Sequence, residues 1–382
     1  MILIDAMKEL SVCMKSRLVD LERAKQEGRK IVGYTPGGYL PEELVLAAGA
    51  IPVCLVRGGD HSAVELAGAH ICRWIDTFCR AQIGYGVSGE DPYYTIIDLL
   101  AIPITDNNMR AVSDVLECNT KLEVFPFGVP HMKEKPALDY YLHGITRLKK
   151  RLEELTGIEI TESKLKEAIH LCNRERELLR EISVMRKSQP VPISSRDFVA
   201  LNHGSFLADK KAMVKILESV HEELKKQTTL SPQGTRILLT GSTLAWGDTM
   251  VQDLTEEAGG KIVMEEFAEG IRPYWENVKT DGELMENLAD CYFARRVPPG
   301  WFRPGRERLD FLVNLAKNFN VAGVIWYQLM YRESYKLESY YFPDILKKET
   351  GLSMLTVESD YNPAEAGSLR TRIEAFIESI KG

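Results

Sequence analysis

Short apolar runs alternate with longer stretches in which apolar residues recur at helical spacing, and this alternation organises the chain. Asp5 to Gly28 reads as a charged amphipathic helix ending at a glycine. Lys30–Tyr34 is a short strand. It runs into Thr35-Pro36-Gly37-Gly38-Tyr39-Leu40 and a helix opened by Pro41-Glu42-Glu43, where proline suits the first helical position and acidic side chains suit the first turn. Ala50–Val56 then completes a strand–helix–strand unit, which predicts a parallel sheet. A segment holding Cys72 and Cys79 follows; the spacing puts both on one face if it is helical. The strand Ile96–Ile104, the helix Met109–Leu116 and the strand Lys121–Pro126 complete this region.

From Pro136 to about Gln227 the pattern is helical throughout, with few β-branched runs; Leu142–Leu155, Leu165–Met185 and Met213–Leu224 read as helices. Arg236–Ser242 restarts the α/β alternation. It continues through the helix Thr249–Ala258, the strand Lys261–Met264, the helix Leu309–Phe319, the strand Gly323–Tyr327, a helix around Tyr340–Glu349, the strand Met354–Glu358 and a closing helix Ala364–Ile380. The prediction is an α/β protein with two flavodoxin- or Rossmann-like parallel-sheet domains and a helical insert between them. Its parts are an N-terminal helix (1–30), a first α/β domain (31–135), a helical segment (136–230) and a second α/β domain (231–382).

At 382 residues the chain is too long for one core, and 45% apolar with 27% charged residues is an ordinary globular balance. A net charge of −7 argues against nucleic-acid binding, which needs a basic face. No run is long and apolar enough for a bilayer, and Met1-Ile2-Leu3-Ile4-Asp5 leads into a charged helix, so a cytoplasmic location without membrane association is expected. Seven cysteines, at 13, 54, 72, 79, 118, 172 and 291, are too scattered for a disulfide framework. There is no nucleotide fingerprint, no phosphate-binding Walker loop and no nucleophile elbow.

Chemistry is expected where strands end, because loops converge there on a crevice in open α/β sheets. Thr105-Asp106-Asn107-Asn108 ends one strand and Gln328–Tyr335 ends another, which suggests one site between two domains. The Gly37-Gly38 pair, with Tyr39 beside it, leaves backbone N–H groups free to approach an anion or a carbonyl oxygen, or simply makes a tight turn. Glu265 and Glu266 end a third strand and would orient a ligand or act as a base, or else form a solvated strand end.

The stretch Lys30 to Val53, with Gly323-Val324-Ile325, Leu346–Leu352, Val357–Tyr361 and Leu369–Phe376, resembles the 2-hydroxyacyl-CoA dehydratase and benzoyl-CoA reductase family, which includes the double-cubane cluster proteins. The resemblance covers nearly the whole chain. It implies a cytoplasmic iron–sulfur subunit of anaerobic metabolism that pairs, in a homo- or heterodimer, with a homologous subunit and receives electrons from an ATP-dependent activator protein. The implied reaction is one-electron reduction of an acyl-CoA thioester to a ketyl radical. It also implies a [4Fe-4S] cluster held by cysteine thiolates at strand and helix ends. Carried over residue by residue, the first ligand falls on Cys72 or Cys79, the second on Asp106 and the third on Arg332; positions bearing extra cysteines in the double-cubane branch fall on Asp91 and near Pro298–Trp301.

Most of that ligand set is therefore absent, and an arginine has no lone pair to offer iron. Arg332 would instead favour an anion, or an ion pair with Asp106 or Glu265. Three readings stay open. The chain is a subunit of a dehydratase- or reductase-type complex acting with a partner that keeps its cysteines. Or it is a clusterless paralogue holding an acyl-CoA or other anionic ligand on Arg332, Asp106, Arg110 and the Gly37-Gly38 turn, or serving as a structural or regulatory subunit. Or Cys79 is a nucleophile in a cluster-free enzyme.

Overall fold

The computed structural model describes residues 5–226 and 234–381; Met1–Ile4 and the boundary expected at 230–231 lie outside the described residues. Four strands, β1 (Ile31–Tyr34), β2 (Ile51–Cys54), β3 (Leu99–Ile104) and β4 (Val124–Gly128), form a parallel sheet in the order β2-β1-β3-β4. The second sheet repeats that order: β5 (Thr235–Gly241), β6 (Gly260–Glu266), β7 (Gly323–Leu329) and β8 (Ser353–Ser359) lie as β6-β5-β7-β8, again all parallel. Inner strands such as β1, β3 and β7 are buried along nearly their whole length, which is why they read as continuous apolar runs. Strand order reverses direction between β1 and β3 and between β5 and β7, so each sheet has a switch point where a crevice opens at the carboxyl ends.

The two sets of carboxyl ends face each other. Val56–Gly58, beyond β2, and Trp246, beyond β5, exchange backbone hydrogen bonds of 2.9 Å in both directions. Gly58 and Gly59 are needed here: a side chain at 58 would meet Ala245 at 2.5 Å, and one at 59 would meet the backbone of Gly247 and Asp248 at 2.8 Å.

The helical part holds Lys135–Thr156, Glu162–Met185, Ser195–Leu207 and Lys210–Lys226. Thr161 and Ser194 cap two of these by accepting from Lys164 N–H and Asp197 N–H. Ser195–Leu207 has no expected counterpart, because its faces are buried nearly all round and leave little periodicity to read. The N-terminal helix Asp5–Gln26 packs Ala6 and Leu10 into the same core as Leu178, Leu217 and Trp326, joining the insert to the second sheet.

Two expectations near the site are corrected. Ile96 belongs to a short helix, Pro92–Ile96, set by Pro92 at its first turn and by Asp91, whose carboxylate caps Tyr93 N–H; the strand begins at Leu99. Cys72 lies in an irregular segment before the helix Thr77–Ser88, so it shares no helical face with Cys79.

Candidate functional site at the junction of the two sheets

Three helix starts meet at the facing switch points. Asp106 ends the β3 loop and caps the helix Asn107–Asn119, its Oδ1 accepting from Asn108 N–H at 2.9 Å and Met109 N–H at 3.0 Å. Asp76 caps Thr77–Ser88 through a 2.9 Å bond from Cys79 N–H. Arg332 holds the corresponding first position of Glu333–Thr350 after β7, where a cation is unfavourable unless neutralised.

That neutralisation comes from across the domain boundary. Arg332 donates from Nη2 to Asp106 Oδ2 at 2.6 Å and from Nη1 to Asp76 Oδ1 at 3.3 Å, and its Nη1 also lies 3.5 Å from Cys79 Sγ. Only about a tenth of the Arg332 side chain is exposed, and its Nε finds no partner among the described residues. Burial lowers its proton affinity, but Asp106 and Asp76 more than offset this and hold the guanidinium firmly charged. Burial pushes the Asp76 carboxyl up, with Arg332 opposing. The Cys79 thiol is pushed well up by burial and then by Asp76, so it is a poor nucleophile.

A cavity of about 30 Å³ lies beside this ion pair, lined by Gly37, Tyr39, Thr105, Thr243, Glu269 and Arg332 among others. It has room for about two waters, at roughly 10–15 Å³ each. Gly37 and Gly38 have φ of 135° and 74°, and a side chain at 38 would strike Arg296 Nη1 at 2.8 Å, so glycine is required in this turn. Tyr39 is buried and stacks on Phe302 with ring centroids 6.1 Å apart. A second cavity of about 40 Å³ lies behind the same turn, against Lys210, which bridges Glu42 at 2.6 Å and Glu175 at 2.7 Å.

The structure scatters the other candidates. Adjacent residues of a strand point to opposite faces, so Glu265 and Glu266 cannot both face one crevice. Glu265 turns to the insert and takes both nitrogens of Arg186 at 2.6 Å, with Ser195 Oγ also at 2.6 Å. Glu266 is held by Arg272 at 2.8 Å and Arg308 at 3.2 Å; burial raises its pKa, but the two arginines bring it below the ordinary range. Arg332 therefore pairs with Asp106 and not with Glu265. Arg110 pairs with Asp114 at 2.8 Å and lines a different pocket. Cys72 is exposed.

Two residues at the junction were not singled out in the sequence. Asp76 carried a readable signal, an aspartate just before a helical segment. Glu269, on the loop after β6, carried none. It is 3% exposed, its carboxylate accepts from Leu244 N–H at 3.4 Å, and burial raises its carboxyl to about 7.

A profile of the family described as 2-hydroxyglutaryl-CoA dehydratase, D-component, matches residues 38–380. The chain belongs to that family. It is 27% identical to YjiM of Escherichia coli (strain K12), provisionally named a dehydratase subunit, over 93% of each chain. It is 24% identical to the (R)-phenyllactyl-CoA dehydratase beta subunit of Clostridium sporogenes over 94% of each. With a benzoyl-CoA reductase subunit from Thauera aromatica it shares 22% over 92% of this chain and 91% of the relative.

The resemblance implies a thiolate-held [4Fe-4S] cluster, and the donor set at this junction does not fit one. The meeting loop ends offer one buried thiol, two carboxylates already used as helix caps and paired with Arg332, and a guanidinium that donates hydrogen bonds but cannot ligate. Among the described residues, no three His, Cys, Asp or Glu side chains are grouped to hold a metal ion. Among those residues, no helix is long and apolar enough to cross a membrane.

Proposed function

We propose that this chain is a cluster-free subunit of a 2-hydroxyacyl-CoA dehydratase- or benzoyl-CoA reductase-type complex, and that the redox chemistry is carried by a homologous partner subunit that keeps its cysteines. The observation that supports this is the Arg332 guanidinium, bonded to Asp106, Asp76 and Cys79 where the family's ligands would converge. Its charge is already matched by two carboxylates, and the adjoining cavity, about 30 Å³, is too small for an acyl group. The junction is thus suited to locking two domains together, and an acyl-CoA would be handled by the complex as a whole. Electrons would reach the partner from an ATP-dependent activator protein, and the assembly would sit in the cytoplasm.

Tagged chain purified without oxygen from its own cells tests this reading. A homologous subunit is expected to co-purify in fixed ratio, with all visible iron–sulfur absorption following that subunit when the two are separated. Recovery of this chain alone, turning over a 2-hydroxyacyl-CoA unaided, would contradict it.

A further inference from the structure

Beside the junction, beyond the carboxyl ends of β3 and β4, lies an open pocket of about 480 Å³ lined by Ile104, Arg110, Phe127, Gly128, Tyr140 and Arg147, with His143 at its side. The two interior cavities have room only for waters, whereas this volume lies in the range of small-molecule sites. No carboxylate among the described residues lines it, although the protein as a whole carries a net charge of −7. Arg110 is held by Asp114 at 2.8 and 2.9 Å and keeps its remaining N–H groups free of partners among the described residues. Arg147 has no ion-pair partner among those residues and lies over the Phe125 ring at 5.6 Å.

The floor is apolar, from Ile104, Pro126 and Phe127, and Tyr140 presents an exposed ring at the rim. A Cβ at Gly128 would come within 2.8 Å of that ring, so only glycine lets Tyr140 lie across the end of β4. Flat aromatic and apolar surface beside two guanidinium groups is the chemistry that takes a purine base together with phosphates. A slightly larger pocket of about 520 Å³ exists by Arg29 and Gly49, but it lies at the amino ends of β1 and β2 and its lining includes Glu167 and Asp209.

Position favours the first pocket too. Ile104 lines it while the next residue, Thr105, lines the junction cavity, so the two spaces lie back to back across one strand end. Arg110 stands four residues beyond Asp106 on one helix, a rise of about 6 Å.

We propose that this pocket binds the phosphorylated adenosine end of a coenzyme A thioester, Arg110 and Arg147 taking phosphate oxygens and Tyr140 taking the base. This rests on the reading that the chain serves an acyl-CoA complex, and it assigns a nucleotide-anchoring role to a chain that holds no cluster.

Calorimetric titration of the full chain with coenzyme A, adenosine 3′,5′-bisphosphate, adenosine and inorganic phosphate tests the assignment. Coenzyme A and the bisphosphate are expected to bind, with adenosine and phosphate each at least about tenfold weaker, since one charged hydrogen bond is worth about that factor. Arg147→Ala should weaken both by about tenfold, and Arg110→Ala with Arg147→Ala by more. Both side chains are solvent-exposed, so the fold should survive, which circular dichroism checks. Coenzyme A affinity unchanged in the double variant would overturn the pocket while leaving the acyl-CoA reading intact. Phosphate binding as tight as the bisphosphate would reduce it to an anion site and overturn the nucleotide assignment. Absence of any coenzyme A binding would also overturn it, while the partner experiment decides the subunit reading separately.

Discussion

The two α/β domains share one strand order but start their helices differently. In the first domain, four helices begin on an aspartate whose carboxylate accepts from the backbone: Asp60, Asp76, Asp91 and Asp106. In the second, Thr249, Gly305 and Arg332 hold those positions and none makes a capping hydrogen bond, while the last helix is entered through a turn capped by the uncharged Asn362, which accepts from Ala364 N–H. Where the sheets face each other, the helix caps of the first domain are therefore anionic and that of the second is a cation. The lesson is electrostatic. A pair of matched topologies that could hold a shared prosthetic group can instead be joined by one guanidinium, provided the opposite helix caps are acidic.

The most damaging change should be Arg332→Ala, which strands Asp76 and Asp106 as buried carboxylates without a counter-ion. Breaking one side of a buried pair costs about 3–5 kcal/mol. A large fall in urea midpoint is expected; adding Asp106→Asn should recover part of it, because the stranded charge then disappears. An unchanged midpoint in Arg332→Ala would mean that the ion pair does not hold the domains.

A second comparison concerns carboxylates without a cation. Glu269, in the second domain, faces the junction with its carboxyl raised from 4.5 to about 7, whereas Asp106 has Arg332 at 2.6 Å. Between those two pH values the folded chain binds a proton there that the unfolded chain has released. Stability from this group is therefore present below about pH 4.5 and declines as pH rises to about 7, by about 3 kcal/mol at most. Glu269→Gln should flatten the fall in urea midpoint across this window. Parallel pH profiles for both proteins would count against the assignment.

The smallest effects separate the caps themselves. Asp60→Ala removes a side chain that accepts from Ser62 N–H, and about 1 kcal/mol should be lost. Thr249→Ala removes only a hydroxyl bonded to Asp253 within its own helix, so about 0.5 kcal/mol or less is expected. Equal losses would erase the contrast drawn between the domains.

Much of this is legible in the amino-acid sequence alone. Continuous apolar strands such as Ile325-Trp326-Tyr327 and amphipathic helices such as Met213–Leu224 follow from burial, which writes itself into local pattern. Arg332 can also be read as a cation at the strand ends, with Asp106 and Glu265 both left as candidate partners. What cannot be read depends on contacts distant in sequence. Glu265 and Glu266 look like a polar strand end until Arg186, Arg272 and Arg308 arrive from three other elements. Arg110 looks like a junction residue until the helix turns it toward Asp114 and the neighbouring pocket. Cys72 fails to join Cys79 because the helix waits for its cap at Asp76.

The central question is whether Arg332 has taken the place of iron. Iron and acid-labile sulfide per chain, measured on this protein after purification without oxygen and separation from any partner, test that directly. Values near zero for both are predicted. About four irons and four sulfides per chain, the content of one cubane cluster, would contradict it and show that Arg332 moves aside for a cluster held by other ligands.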